Sequence, residues 1–128
     1  MATTAKKILI VDDDPNITDV YSVKLGAEGF LVETAPNAKE AEAKIASGFV
    51  PDLILLDIIM PGDNGIQLLE RMVKDPILAD TKIVIFSNLD QRSDIDEKIL
   101  SKIAGYYLKV NMIPSDMVKK AREVLGLQ

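Results

Sequence analysis

The chain has 128 residues, 48% of them hydrophobic, and 20 acids against 15 bases give it a net charge of −5. That size suits one domain with one core, and the acidic balance works against non-specific binding to nucleic acid or to anionic membranes. Cysteine and histidine are both absent, which excludes disulfides, zinc–thiolate sites, histidine triads and a phosphohistidine on this chain. Catalysis is left to carboxylates, hydroxyls, lysine, backbone amides or a metal. The first residues, MATTAKK, lack the apolar stretch of a signal peptide, and no apolar run approaches membrane-spanning length. We expect a single cytoplasmic domain over residues 1–128.

Ile8–Val11 (ILIV) opens the chain with an unbroken apolar run, too short for a helix and suited to a strand buried on both faces. After Pro15, the spacing of Ile17, Val20, Tyr21 and Leu25 predicts a helix that ends at Gly29. Phe30–Thr34 (FLVET) is half polar and suits an edge strand. Asn37 can cap a second helix, with Glu40 three residues on as in a capping box, and Ala38, Ala41 and Ile45 form its apolar side up to Gly48. Leu53–Leu56 (LILL) is a second buried strand. Ile66, Leu69, Met72 and Val73 predict a third helix, closed before Pro76. Ile83–Phe86 (IVIF) is a third buried strand, and Ile95, Ile99, Leu100 and Ile103 predict a fourth helix. Gly105–Leu108 (GYYL) reads as a strand towards an edge. Val118, Ala121 and Leu125 predict a last helix, opened near Pro114 and Ser115. The pattern is βα repeated five times. Right-handed crossovers then give an α/β fold, a three-layer doubly wound (βα)5 sandwich around a parallel five-stranded sheet.

Each buried strand is followed at once by polar residues: Asp12 and Asp13, then Asp57, then Ser87, while Lys109 follows the last strand. In open parallel sheets ligands bind outside the carboxyl ends of the strands. Taken singly, each residue is ordinarily a turn former or a cap, and Asp14 before Pro15 reads as a helix N-cap. Lys109 alone would be a solvated surface lysine, and Ser87 a strand-end turn. Their convergence on one edge points further. Two carboxylates about 4 Å apart repel by roughly 4 kcal/mol at an effective dielectric near 20. A hard dication with oxygen ligands offsets that cost, and magnesium fits because it takes few protein ligands and keeps waters that a phosphate oxygen can replace. Asp57, just past a strand, would be exposed enough to attack phosphorus and form an acyl phosphate. Lys109 would neutralise one phosphoryl oxygen and the Ser87 hydroxyl would donate to another.

The segments KILIVDDDP, LLDIIMPGDNG, IVIFS and GYYLK together resemble the receiver domain of two-component response regulators, of the single-domain CheY-like type. The resemblance covers essentially the whole chain. It implies the flavodoxin-like strand order 2-1-3-4-5, with Asp57 as phosphoacceptor. Magnesium would be held by Asp12, Asp13, Asp57 and the backbone carbonyl of Ile59. Ser87 would be the switch hydroxyl, Lys109 the phosphate-binding lysine and Tyr106 the switch aromatic. The ring of Tyr106 would rotate inwards and reshape the face of the fourth helix, fifth strand and fifth helix. A phosphohistidine on a sensor histidine kinase or a histidine phosphotransfer protein would be the donor, and the domain would catalyse its own phosphorylation and slow hydrolysis. A downstream protein would read the switched face, and the chain itself would be a monomer or weak dimer.

The sequence departs from that family at Val110, where a proline after a cis peptide is usual, and at Asn88, where a small alanine is usual. A cis bond before a non-proline residue costs about 3 kcal/mol, so either the lysine loop is rearranged or the site bears strain. The family's positions flanking the hydrolytic water are here Ile59 and Leu89, both apolar and unable to orient a water. They predict a long-lived phosphorylated form; the simpler reading is that they only pack. Two alternatives stand beside this reading. One is a haloacid-dehalogenase-like phosphatase with Asp12 as nucleophile and Asp14 as general acid. The other is a non-phosphorylated interaction module that keeps only the fold.

Overall fold

The computed structural model describes residues 5–60 and 62–127. Five strands form one parallel sheet: β1 (Lys7–Val11), β2 (Leu31–Ala35), β3 (Leu53–Leu56), β4 (Lys82–Ser87) and β5 (Gly105–Leu108), in the spatial order β2-β1-β3-β4-β5. Helices α1 (Pro15–Ala27), α2 (Ala38–Ala46), α3 (Gly65–Lys74), α4 (Glu97–Leu100) and α5 (Pro114–Val124) follow the strands in turn. A two-residue antiparallel ladder, Ile59–Met60 with Asp63–Asn64, folds back the loop between β3 and α3.

The sheet separates two hydrophobic layers. Leu9, Val11, Ile54, Leu56, Ile83 and Ile85 face α2, α3 and α4, and Ile8, Ile10, Leu53, Leu55, Val84 and Phe86 face α1 and α5. The alternation explains why β1, β3 and β4 read as unbroken apolar runs: both faces of the central strands need an apolar side chain. Edge strand β2 can afford Glu33 and Thr34 because part of its surface is solvated.

Helix starts follow their capping residues. Asp14 accepts from the Asn16 N–H (2.9 Å) ahead of Pro15. Asn37 accepts from the Glu40 N–H (2.9 Å), while its amide donates to the Glu40 carboxylate (3.1 Å). Asn64 accepts from the Gln67 N–H (3.1 Å) at the start of α3.

Four details differ from the sequence reading. Val20 is exposed, because Tyr21 and Leu25 lie one turn apart on the buried stripe and Val20 falls on its flank. Leu68 joins Leu69 and Met72 in the core of α3. β2 starts and ends one residue later, at Leu31–Ala35. The fourth helix is one α-turn, Glu97–Leu100, preceded by a 3-10 turn at Arg92–Asp94. The side chain of Asp96 accepts from the Lys98 N–H (2.8 Å) and so starts the helix late. The chain then leaves early to bring the Ala104 N–H to the Ile83 carbonyl (2.7 Å) beside β5. Ile95 and Ile99 still reach the core, so the apolar spacing was real although the helix is not continuous.

Candidate functional site

Register places the chemistry. Val11 pairs with Leu56, and the ladder continues one residue further on each side: the Asp12 N–H bonds the Ala35 carbonyl (3.0 Å) and the Asp57 N–H bonds the Val11 carbonyl (2.9 Å). The two aspartates thus extend adjacent central strands. Ser87 is the last residue of β4 and pairs with Leu108, so Lys109 leaves the sheet beside it.

Each buried carboxylate is used twice. Asp12 Oδ1 accepts from the Asp14 N–H (2.9 Å) and Asp57 Oδ1 from the Ile59 N–H (2.9 Å), both Asx turns. The other oxygens meet Lys109, whose Nζ lies 2.6 Å from Asp12 Oδ2 and 3.0 Å from Asp57 Oδ2. The lysine side chain is only 8% exposed and its ammonium sits 6.0 Å from the centroid of the Phe86 ring. Burial pushes the Asp12 carboxyl above the usual range, more than the Lys109 ammonium and the Asp14 amide pull it down. Burial alone would lower the pKa of Lys109, but its hydrogen bonds to Asp12 and Asp57 outweigh this and raise it.

Asp13 is exposed and completes a trio with Asp12 and Asp57, whose carboxylate oxygens come within 4.8 Å of one another. Three carboxylates against one ammonium leave two negative charges uncompensated, and every donor in the trio is an oxygen. This donor set suits a hard dication such as magnesium. The Ser87 hydroxyl, wholly buried beside the trio's strands, has no hydrogen-bond partner. A buried hydroxyl of this kind is costly unless something approaches it.

One expectation needs correction. Asp57 is 4% exposed rather than open to solvent, because its strand is central and Lys109 bonds its outer oxygen. Of the two outcomes open at Lys109–Val110 the rearranged loop is the one found: the peptide is trans, as no cis bond occurs among the described residues. A 3-10 turn over Lys109–Asn111, with the Met112 N–H on the Lys109 carbonyl (3.3 Å), turns the chain instead. The lysine nonetheless reaches both aspartates. Ile59 and Leu89 are 37% and 58% exposed. Ile59 lines a cleft of about 360 Å³ with Met60, Ile66 and Gln91. The Leu89 carbonyl accepts from the Tyr106 hydroxyl (2.7 Å), which in turn accepts from the Gln91 N–H (2.8 Å). Tyr106 packs on the layer containing Ile95 and Ile99.

Sequence reasoning missed Gly65. A Cβ there would run into the backbone of Ile58, so only glycine lets α3 start against the residue after Asp57. The Asn64-Gly65 pair was visible, but not what it faces. It also missed Phe86 under the lysine and Gln91 on Tyr106; the sequence carries no signal for either contact.

The fold and this crevice define a class of α/β domain, a doubly wound parallel sheet with an acidic trio and a lysine at the carboxyl ends of its central strands. Residues 8–122 match the family model described as response regulator receiver domain. The phosphate regulon transcriptional regulatory protein PhoB of Pseudomonas aeruginosa is 35% identical over 122 residues, which is 94% of this chain and 52% of that protein. The chain therefore spans about half the length of such curated relatives. Among solved structures, a CheY-like receiver domain protein from Methanospirillum hungatei is 31% identical with a TM-score of 0.81, covering 96% of this chain and 95% of the other. The response regulator TrrA from Thermotoga maritima, solved with Mg(2+)-BeF, is 34% identical with a TM-score of 0.77, covering 94% and 98%. The chain belongs to the response regulator receiver domain family, the phosphoacceptor domains of phosphorelay signalling. This membership does not favour either the phosphatase or the interaction-module alternative.

Proposed function

We propose that Asp57 is the residue phosphorylated, with magnesium held by Asp12, Asp13, Asp57 and the Ile59 carbonyl. The observation that carries this is Lys109, which reaches Asp12 and Asp57 together from a distant strand end. The carboxylate of Asp57 attacks phosphorus, a P–O bond forms and the P–N bond of a donor phosphohistidine breaks. Magnesium, when bound, supplies the charge neutralisation that lets an anionic carboxylate meet an anionic phosphoryl group. Lys109 pairs with one phosphoryl oxygen and the unpartnered Ser87 hydroxyl donates to another. Tyr106 then carries the change to the face of α4, β5 and α5, where a downstream protein binds. The donor is a histidine kinase or a histidine phosphotransfer protein, the domain spans 1–128 in the cytoplasm, and the chain works as a monomer or weak dimer.

Acetyl phosphate with magnesium should label Asp57, as read by peptide mass spectrometry, and Asp57→Asn should remove the label. A label on Asp12 would instead support the phosphatase reading.

The apolar, exposed side chains of Ile59 and Leu89 support a second element, a slowly hydrolysed acyl phosphate. Neither side chain can orient an attacking water. The double variant Ile59→Asn/Leu89→Glu should lose its label faster, and an unchanged decay rate would refute the idea.

A further inference from the structure

We propose that Asp90 and Arg92 are positioning residues that hold the Tyr106 ring against the loop after β4. Three residues of the loop after β4, Leu89, Gln91 and Arg92, meet this side chain, and Asp90 meets Arg92. The Leu89 carbonyl accepts from the Tyr106 hydroxyl (2.7 Å) and the Gln91 N–H donates to it (2.8 Å). The Arg92 guanidinium lies over the ring, 5.5 Å from its centroid. Asp90 fixes that guanidinium along its edge, accepting from Nε (2.9 Å) and from the terminal nitrogen (2.5 Å), while its Oδ1 also takes the Arg92 N–H (3.1 Å).

An exposed ion pair between neighbours in sequence contributes little by itself. Its effect here comes from what it orients. A bidentate carboxylate fixes the plane of the guanidinium, and a planar cation fixed over an aromatic face favours the ring position beneath it. Arg92 also opens the 3-10 turn that leads into Ile95 and α4, so the grip ties β5 to the start of α4. The Ser87 hydroxyl, by contrast, has no hydrogen bond. The loop is therefore held by the Tyr106 hydroxyl and not by the Ser87 hydroxyl.

The consequence for signalling rests on reading Tyr106 as the switch aromatic; the positioning itself does not. The test is NMR of the full chain labelled with carbon-13 in its 3 tyrosines, with the Tyr106 signals assigned through Tyr106→Phe. Arg92→Ala and Asp90→Asn should both move the Tyr106 ring signals and leave Tyr21 and Tyr107 in place. The ratio of held to released ring should fall roughly two- to fivefold, the weight of one cation–ring contact at an exposed site. Arg92→Lys, which keeps the charge but not the planar fork, should shift them part of the way. A pair that merely staples its own loop would change backbone amides of residues 89–94 and leave the Tyr106 ring signals unmoved in both variants, and that result would overturn the proposal. Magnesium and beryllofluoride added to the unmutated protein judge the other reading separately: Tyr106 signals that do not respond there would end its role as the switch, whatever Arg92 does.

Discussion

Lys109 is the resident cation of a site that carries more negative charge than it can balance. Its ammonium contacts two carboxylates that are almost wholly buried. Removing one partner of a buried pair leaves the other uncompensated, typically at a cost of about 3 kcal/mol or more. Lys109→Met should therefore destabilise the chelator-treated protein at neutral pH by about that amount in urea unfolding, and magnesium should recover part of it. The sign of the pH dependence follows from the shifts. Lys109 has a raised pKa, so its stabilisation is complete below the ordinary lysine value and is lost as pH rises through the folded value. Asp12 also has a raised pKa, so the metal-free fold is favoured by its protonation and loses that contribution as pH rises through the folded value. Magnesium needs the ionised form. Its affinity should weaken on acidification, beginning above the ordinary aspartate value of 3.8, as read by magnesium titrations across the weakly acidic range.

At the scale of elements, α3 and α4 behave oppositely. α3 is pressed against the loop it serves, and Gly65 is the point of contact. Gly65→Ala forces backbone apart where neither side can yield cheaply, and should cost about 2 kcal/mol in urea unfolding while shifting the Ile58 and Ile59 amide signals. α4 is a single turn between a 3-10 turn and a bend, held by Ile95 and Ile99. A helix that short has no cooperative reserve of its own. Its amides at Glu97–Leu100 should exchange with deuterium faster than those at the centres of α1 or α5. Much of this was legible in the residues. The strands with Ile8–Val11, Leu53–Leu56 and Ile83–Phe86 announce themselves because burial on both faces leaves no room for polar residues. The helix caps Asp14 and Asn37 are local and so are written locally. The extent of α4 was not, since the spacing of Ile95, Ile99 and Ile103 fits a longer helix and only Asp96 and the return to β5 cut it short. The acidic trio and Lys109 could be anticipated from their strand-end positions. The grip on Tyr106 could not, because it depends on loop geometry that no spacing encodes.

Across the whole molecule, two hydrophobic layers clamp β1 and β3, and these strands deliver Asp12 and Asp57 side by side. The clamp resists the relaxation by which like charges would otherwise separate. A ligand that binds only the folded state adds stability with its concentration. Magnesium should accordingly raise the melting temperature, and Asp13→Asn should shrink that rise, measured by thermal scans with and without chelator. The same clamp sets two selective pressures against each other. With no divalent ion present, heat resistance favours any neutral residue at Asp13, since it removes repulsion without touching the core. A library of variants screened only for survival on heating in chelator would drift towards sturdier proteins that have lost the ability to signal.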